Sequence, residues 1–446
     1  MAEQQRQAEP SSLVFAWGRG DLGQLGVGDE AGRDSPTLVE SFSKKDIVHI
    51  AASDFHTAFL TSEGEVYTTG TNESGQLGTH LPENQFLPEP VAALDTQMVV
   101  HVACGQGHTV AVTDTGALAS WGAAEFGQLG QKEAVGVLNI SHPRILKGSR
   151  ELHFVRAACG ASHTLALTGS GDIYSFGQGA FGALGHGNTE SCSAPTFVNG
   201  LWGFGIVQIA CGENHSVALS IDGQVFSWGR GKYGQLGHGS LNNEMSPLQV
   251  KALADQMIVQ IVSGGDHTMA MNSEKHIFAW GRGHWGQIGL GTLADVHTPT
   301  EVHLPEGELV DQAAAGARHS VVLTACGNLF GWGDGEQGQL GKLASNKVQT
   351  LPFLISNTVS NGLAASYIVA GGEHTFLVYK PSAGRLDGLK STLITQSNGI
   401  GCKEEVISEM VAATGGAMHG EGLRPVKVPE IVSMLEVCFF RYAKDD

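Results

Sequence analysis

The chain has 446 residues, enough for a large core or two to three ordinary domains, with 62 glycines, 41% apolar residues and a formal net charge of −18. The glycines follow no Gly-X-Y period and the apolar share is high, which excludes collagen-like and disordered chains. The acidic balance argues against nonspecific binding to nucleic acid or to an anionic membrane, since both need Lys and Arg against phosphates.

Residues 1–12 read as a flexible N-terminus. The opening MAEQQRQAEP carries Glu3, Arg6 and Glu9, so it is neither a basic arm nor a signal peptide. No run of 18 apolar residues predicts a membrane span. The first predicted strand is LVFAWG, from Leu13, ending at Gly18. A short strand closing on Trp-Gly or a near variant then recurs at Gly70, Gly122, Gly177, Gly229, Gly281 and Gly333, in steps of 52, 52, 55, 52, 52 and 52. Five residues on lies Gly-Gln-Leu-Gly, at Gly23, Gly75, Gly127, Gly234 and Gly338, softened at Gly182 and Gly286. The third marker is Cys or a small residue, usually Gly, two variable residues, His, then Thr or Ser. Its histidines are His56, His108, His163, His215, His267, His319 and His374. Three markers at one pitch define seven copies of a single unit.

Within a unit such as HTVAVTDTGALASWG, from His108, two alternating runs flank a turn and predict a hairpin. A polar loop follows, often with a proline (Pro36, Pro195, Pro247, Pro299), then an apolar strand such as IVQIACG from Ile206. Each unit therefore supplies four short antiparallel strands. One such sheet cannot cover both its faces; a ring of them can. The prediction is an all-β, seven-bladed β-propeller over residues 13–380. Its last strand, HTFLVYK, lacks a Trp-Gly partner. The strand at Leu13 lacks a His-bearing one, so the N-terminal strand is expected to close the ring.

Residues 381–446 leave the repeat and read as a short, partly helical C-terminal tail. After a mixed-charge linker, GRLDGLKS, two short amphipathic helices are predicted. One places Val406, Ile407, Met410 and Val411 on a stripe. The other starts near Pro429 and carries Ile431, Met434, Leu435, Cys438 and Phe439. Each is too short to be stable alone, so the tail is expected to dock on a partner or on the propeller's own flank.

The units resemble the repeats of the regulator of chromosome condensation family: Trp-Gly, Gly-Gln-Leu-Gly and Cys-Gly-x-x-His-Thr, over about 80% of the chain. The resemblance implies the fold. Function has to be argued from loops grafted onto it. Founding members are exchange factors for the small GTPase Ran and act through an inserted wedge. Here the added length is three residues between Gly122 and His163 and three between Gly333 and His374, and a short element at Gln131–Asn139 is the one candidate. Similar repeats occur in large ubiquitin ligases. They also occur in plant ultraviolet photoreceptors, where the variable pair before each His is often Trp-Arg. No Trp stands in that pair here, so light sensing is excluded.

The histidines occupy equivalent positions in separate units and lack the partner acids or cysteines of a metal site; each is expected to satisfy backbone groups within its own blade. Cys104, Cys159 and Cys211 share one repeat position with Ala52, Ser263, Ala315 and Ala370, which reads as buried filler. Seven cysteines without Cys-x-x-Cys suit reduced thiols in an intracellular protein. No catalytic or cofactor-binding motif occurs, so catalytic, cofactor and metal residues are all set at none.

Function is sought where the repeats differ. The variable pairs include Asp54, Glu213, Asp266 and Glu373 against Arg318, a set that reads either as a surface for a basic partner or as solvated loop tips. The loop before the second glycine marker carries Phe126, Phe181, Tyr233 and Trp285 in four consecutive units. Arg230 and Lys232 accompany Tyr233, Arg282 and His284 accompany Trp285, and Arg19 sits at the same loop position as Arg230 and Arg282. Aromatics with arginine mark an interaction hot spot. The expected partner-binding set is Arg230, Lys232, Tyr233, Arg282, His284, Trp285, Asp266 and Arg318. The expected function is non-enzymatic binding of a protein partner through one face of the ring. The alternatives are guanine nucleotide exchange on a Ran-like small GTPase and substrate recognition for a ubiquitin ligase. Neither nucleic acid nor membrane is an expected partner. The expected location is cytoplasmic, with the nucleus as the alternative.

Overall fold

A computed structural model of the chain describes residues 12–380, apart from 80, 133–135, 342–346 and 358–363. The two predicted tail helices lie outside the described residues. Within them, 28 strands form seven four-stranded antiparallel sheets, the blades of a propeller. The blades begin at Ile47, Val99, Phe154, Ile206, Ile258, Val310 and Ala364.

The fourth blade shows why this sequence folds this way. Its strands Ile206–Cys211, His215–Ser220, Val225–Gly229 and Glu244–Gln249 pair in sequence order. The second strand, HSVALS, is buried at every position because neighbouring blades cover both its faces. It therefore reads as continuously apolar or small. The outer strand, EMSPLQ, alternates with solvent. Leu253 then tucks in from a short 3-10 turn and joins Val217, Leu219, Val250, Ile258, Ile261, Ala270 and Trp280, a core lying between the fourth and fifth blades. The hydrophobic core is thus a ring of seams rather than one centre.

The closure goes further than the sequence suggested. Leu13–Gly18 pairs with His374–Lys380, from Leu13 opposite Tyr379 to Gly18 opposite His374, and Arg33–Leu38 adds a second N-terminal strand to the same blade. Trp17 is fully buried in this last seam and donates its Nε1–H to the Gln339 carbonyl of the sixth blade at 2.9 Å. Trp17→Ala is expected to cost about 3–5 kcal/mol. Urea unfolding checks this, and a loss below about 1 kcal/mol would contradict a closing role for this strand.

All three markers belong to one repeated network. Each histidine Nε2 meets the hydroxyl that follows the histidine of the next blade. The distances are 2.8 Å for His56–Thr109 and 3.0 Å for His108–Thr164, His163–Ser216 and His215–Thr268. They are 2.9 Å for His267–Ser320, 3.0 Å for His319–Thr375 and 3.4 Å for His374–Thr57. Each hydroxyl gives its only proton to a backbone carbonyl of the Gly-Gln-Leu-Gly element, as Thr268 does to Gln235 at 2.9 Å. The histidine must therefore be the donor, through Nε2–H. Trp280 Nε1–H reaches that same Gln235 carbonyl at 2.9 Å.

The expectation that each ring is satisfied within its own blade is corrected: Nε2 points across the seam. The other side of the ring explains the Gly of Cys-Gly. A Cβ on Gly264 would lie 2.2 Å from Cε1 of His267, whereas in the first blade Ser53 takes this position and its hydroxyl meets His56 Nδ1 at 2.9 Å. Burial lowers the histidine pKa values, to about 3 for His56, His108, His215, His319 and His374 and about 4 for His163 and His267.

Candidate functional site

The direction of the strands sorts the variable residues onto faces. The turn between the first and second strands and the loop between the third and fourth open on one face, here the upper. Around the channel at its centre stand Ala52, Cys104, Cys159, Cys211, Ser263, Ala315 and Ala370. The three cysteines are free thiols with one side open to the channel, so they are half-buried rather than sealed filler. Protein surrounds them on the remaining sides, and this burial pushes their pKa values up, that of Cys159 to about 12.

The first residue of each variable pair rims the channel. Backbone bonds pass from blade to blade there: Ala161 N–H to Glu213 O and Glu213 N–H to Gly265 O, each at 3.0 Å. Asp54 sits at this rim, where burial raises its pKa and Gln106 Nε2 donates to its carboxylate at 3.0 Å. Burial also raises the pKa of Glu213, with Asp266 and Asp54 adding to the effect.

The second residue of each pair is tied to the neighbouring loop. The N–H following Trp-Gly donates to its carbonyl: Arg230 to Asn214 and Arg282 to Asp266, both at 2.9 Å. The two variable regions are therefore one surface. The Gln of Gly-Gln-Leu-Gly shapes the loop tip, because its side-chain oxygen accepts from Tyr233 N–H and from Trp285 N–H at 2.9 Å. In the third blade Ala183 replaces that Gln, and Phe181 takes the left-handed conformation, φ 60°, uncommon for a residue with a side chain.

On this surface Phe181, Tyr233 and Trp285 each meet a guanidinium of the following blade. Arg230 lies over Phe181 at 5.2 Å and over Tyr233 at 5.3 Å. Arg282 lies over Tyr233 at 4.6 Å, and Arg318 over Trp285 at 4.9 Å. Asp266 stands between the two central arginines, 3.8 Å from Arg230 and 3.3 Å from Arg282, and accepts from Gln235 Nε2 at 3.2 Å. Lys232 adds an exposed ammonium 5.2 Å from the Tyr233 ring, and His284 packs edge-on to Trp285. The run continues as Arg318–Glu373 at 3.6 Å and Glu373–Arg19 at 3.3 Å.

All eight expected residues fall in this arc. It also includes Phe181, Glu373 and Arg19. Phe181, Tyr233 and Trp285 each bridge to the next blade. The acidic reading of the variable pairs is corrected as well. Asp266 is only 9% exposed and Glu373 21%, each held by two arginines, so neither is a solvated tip nor free to receive a basic partner. From Phe181 to Arg318 what faces outward is cationic and aromatic; beyond it, Arg19 donates to both oxygens of the exposed Asp21 at 2.7 and 2.9 Å. The three extra residues of the second blade lie in its upper loop, where Gly122 pairs with Ile140 while Gly70 pairs with Gln85. Val137 and Leu138 are exposed there; residues 133–135 are outside the described set. Among the described residues no group of three His, Cys, Asp or Glu is placed to hold a metal ion.

Comparison with known proteins follows the fold closely. A family model described as RCC1-like domain matches residues 13–377. The ultraviolet-B receptor UVR8 of Arabidopsis thaliana is 35% identical over 357 residues, 80% of each chain. The probable E3 ubiquitin-protein ligase HERC4 of Mus musculus is 36% identical over 349 residues, 77% of this chain; that match spans 32% of HERC4. Among solved structures, human WBSCR16 superposes with a TM-score of 0.74 at 28% identity, covering 83% of this chain and 99% of that one.

Proposed function

The chain belongs to the RCC1-like domain family, and on that premise we propose that it is a non-enzymatic propeller whose upper face binds an acidic segment of a protein partner. The observation that carries the reading is the arc from Phe181 to Arg318, in which Asp266 turns inward while Lys232, His284 and Arg318 stay exposed. Asp266 and the ring faces hold the guanidiniums in place, so little side-chain entropy is lost when a partner arrives. The whole chain is acidic, at −18, so a local cationic arc also orients an acidic partner toward this face.

Tyr233→Ala combined with Trp285→Ala is expected to weaken a captured partner at least about thirtyfold, the effect of losing one aromatic hot spot. Titration of the purified pair checks this, with affinity also falling as salt is raised. Unchanged affinity at all salt concentrations would place the binding site elsewhere. The alternatives are guanine nucleotide exchange on a Ran-like small GTPase and substrate recognition for a ubiquitin ligase. Release of labelled GDP from a panel of small GTPases decides the first, and co-purification with a ligase component decides the second.

A further inference from the structure

The lower face carries a second feature, independent of the arc. There, the connection from the third to the fourth blade reads Asn-Gly-Leu-Trp-Gly-Phe-Gly, and Trp202 is 76% exposed. After the equivalent short turns in other blades stand Ser43, Asp95 and Ala254, so the repeat itself does not call for a tryptophan. Ile221, 56% exposed, continues the patch: its N–H donates to Gly205 O at 2.9 Å. Six residues after the marker histidine, where Ile221 stands, other blades place Ser62, Asp114, Gly169, Ser273, Ala325 and Lys380. Phe204 packs on Phe226, and Met257, 53% exposed, borders Gly223 beside Ile221. Contiguous exposed apolar surface on one face marks a docking site.

The last described strand, His374–Lys380, runs in the same sense as His215–Ser220, so the chain leaves the propeller on this lower face, at the repeat position of Ile221 itself. Beyond it lie residues 381–446, in which Ile431, Met434, Leu435, Cys438 and Phe439 recur at helical spacing. The linking residues 381–428 have a root-mean-square reach of roughly 40 Å if flexible. Blades of four strands spaced about 4.8 Å apart put the far side of the ring within that distance. A tether of this kind holds the segment at an effective concentration approaching roughly millimolar, so even weak apolar docking is largely occupied.

We propose that the segment from Pro429 to Phe439 docks through its apolar stripe on the Trp202 patch of its own propeller. The test places the photo-cross-linker p-benzoylphenylalanine at Met257 in the full chain, leaving Trp202 intact. Cross-links within a single chain to residues 429–439 are expected, with a yield independent of protein concentration. Ile431→Asp with Phe439→Asp, which leaves the propeller untouched, should lower that yield at least about tenfold. Cross-links to a second copy that grow with concentration, or cross-links confined to the propeller, would overturn the proposal.

Discussion

Acidification from pH 7 to pH 5.5 is expected to remove most of the propeller's stability. The seven marker histidines have folded-state pKa values of about 3 or 4, below their ordinary value of 6.5. A group depressed in the folded state is protonated first in the unfolded chain. Its contribution is fully present above pH 6.5 and is lost as pH falls from there toward the folded value. A tenfold weaker hold on the proton corresponds to about 1.4 kcal/mol. At pH 5.5 each histidine therefore costs roughly 1 kcal/mol, and seven together approach the whole stability of an ordinary protein, about 5–15 kcal/mol.

The cause is structural. Nε2–H is already committed to the next blade's hydroxyl. A proton added to Nδ1 meets no acceptor in the case of His108, His215, His267 and His374. Urea midpoints measured between pH 7.5 and 5 check the slope, and His267→Gln should reduce proton uptake on unfolding by about one. Stability that stays level from pH 7 to pH 5.5 would contradict the neutral, seam-spanning state of these rings.

Arg230→Glu together with Arg282→Glu is expected to abolish partner capture, a loss of at least about a hundredfold in affinity. Both guanidiniums flank Asp266 and both lie on Tyr233, and Arg230 also lies on Phe181, so the change removes two cations and three ring contacts from the centre of the arc. It also gathers three carboxylates around a largely buried site, and some thermal stability should be lost with it. Adding Asp266→Asn relieves that repulsion. Recovery of stability without recovery of capture assigns the loss to the surface rather than to misfolding, whereas capture regained with Asp266→Asn would assign it to folding.

The fold was legible because three markers repeat at one pitch and each turned out to have a partner in the same network: Trp280, Gln235 and Thr268 all converge on one carbonyl. The direction of the histidine bonds was not legible, since the acceptor for His215 lies 53 residues away and belongs to the next sheet. The arc was legible as composition at Tyr233 and Trp285, where the repeats differ. Its wiring was hidden because Phe181 meets Arg230 only when blades are set side by side. The sign of the surface was misread at Asp266 and Glu373 for the same reason: a carboxylate's free charge depends on neighbours that sequence spacing does not reveal. Trp202 escaped notice because it lies in a connection between markers, and only its exposure sets it apart.

The central claim is that partners bind the aromatic–cationic arc of the upper face. Affinity capture run in parallel with the wild-type chain, Arg230→Glu/Arg282→Glu and the lower-face change Trp202→Asp tests it most directly. The account predicts that the upper-face variant loses its partners while the Trp202 variant keeps them; an unchanged partner set on the upper-face variant would contradict it.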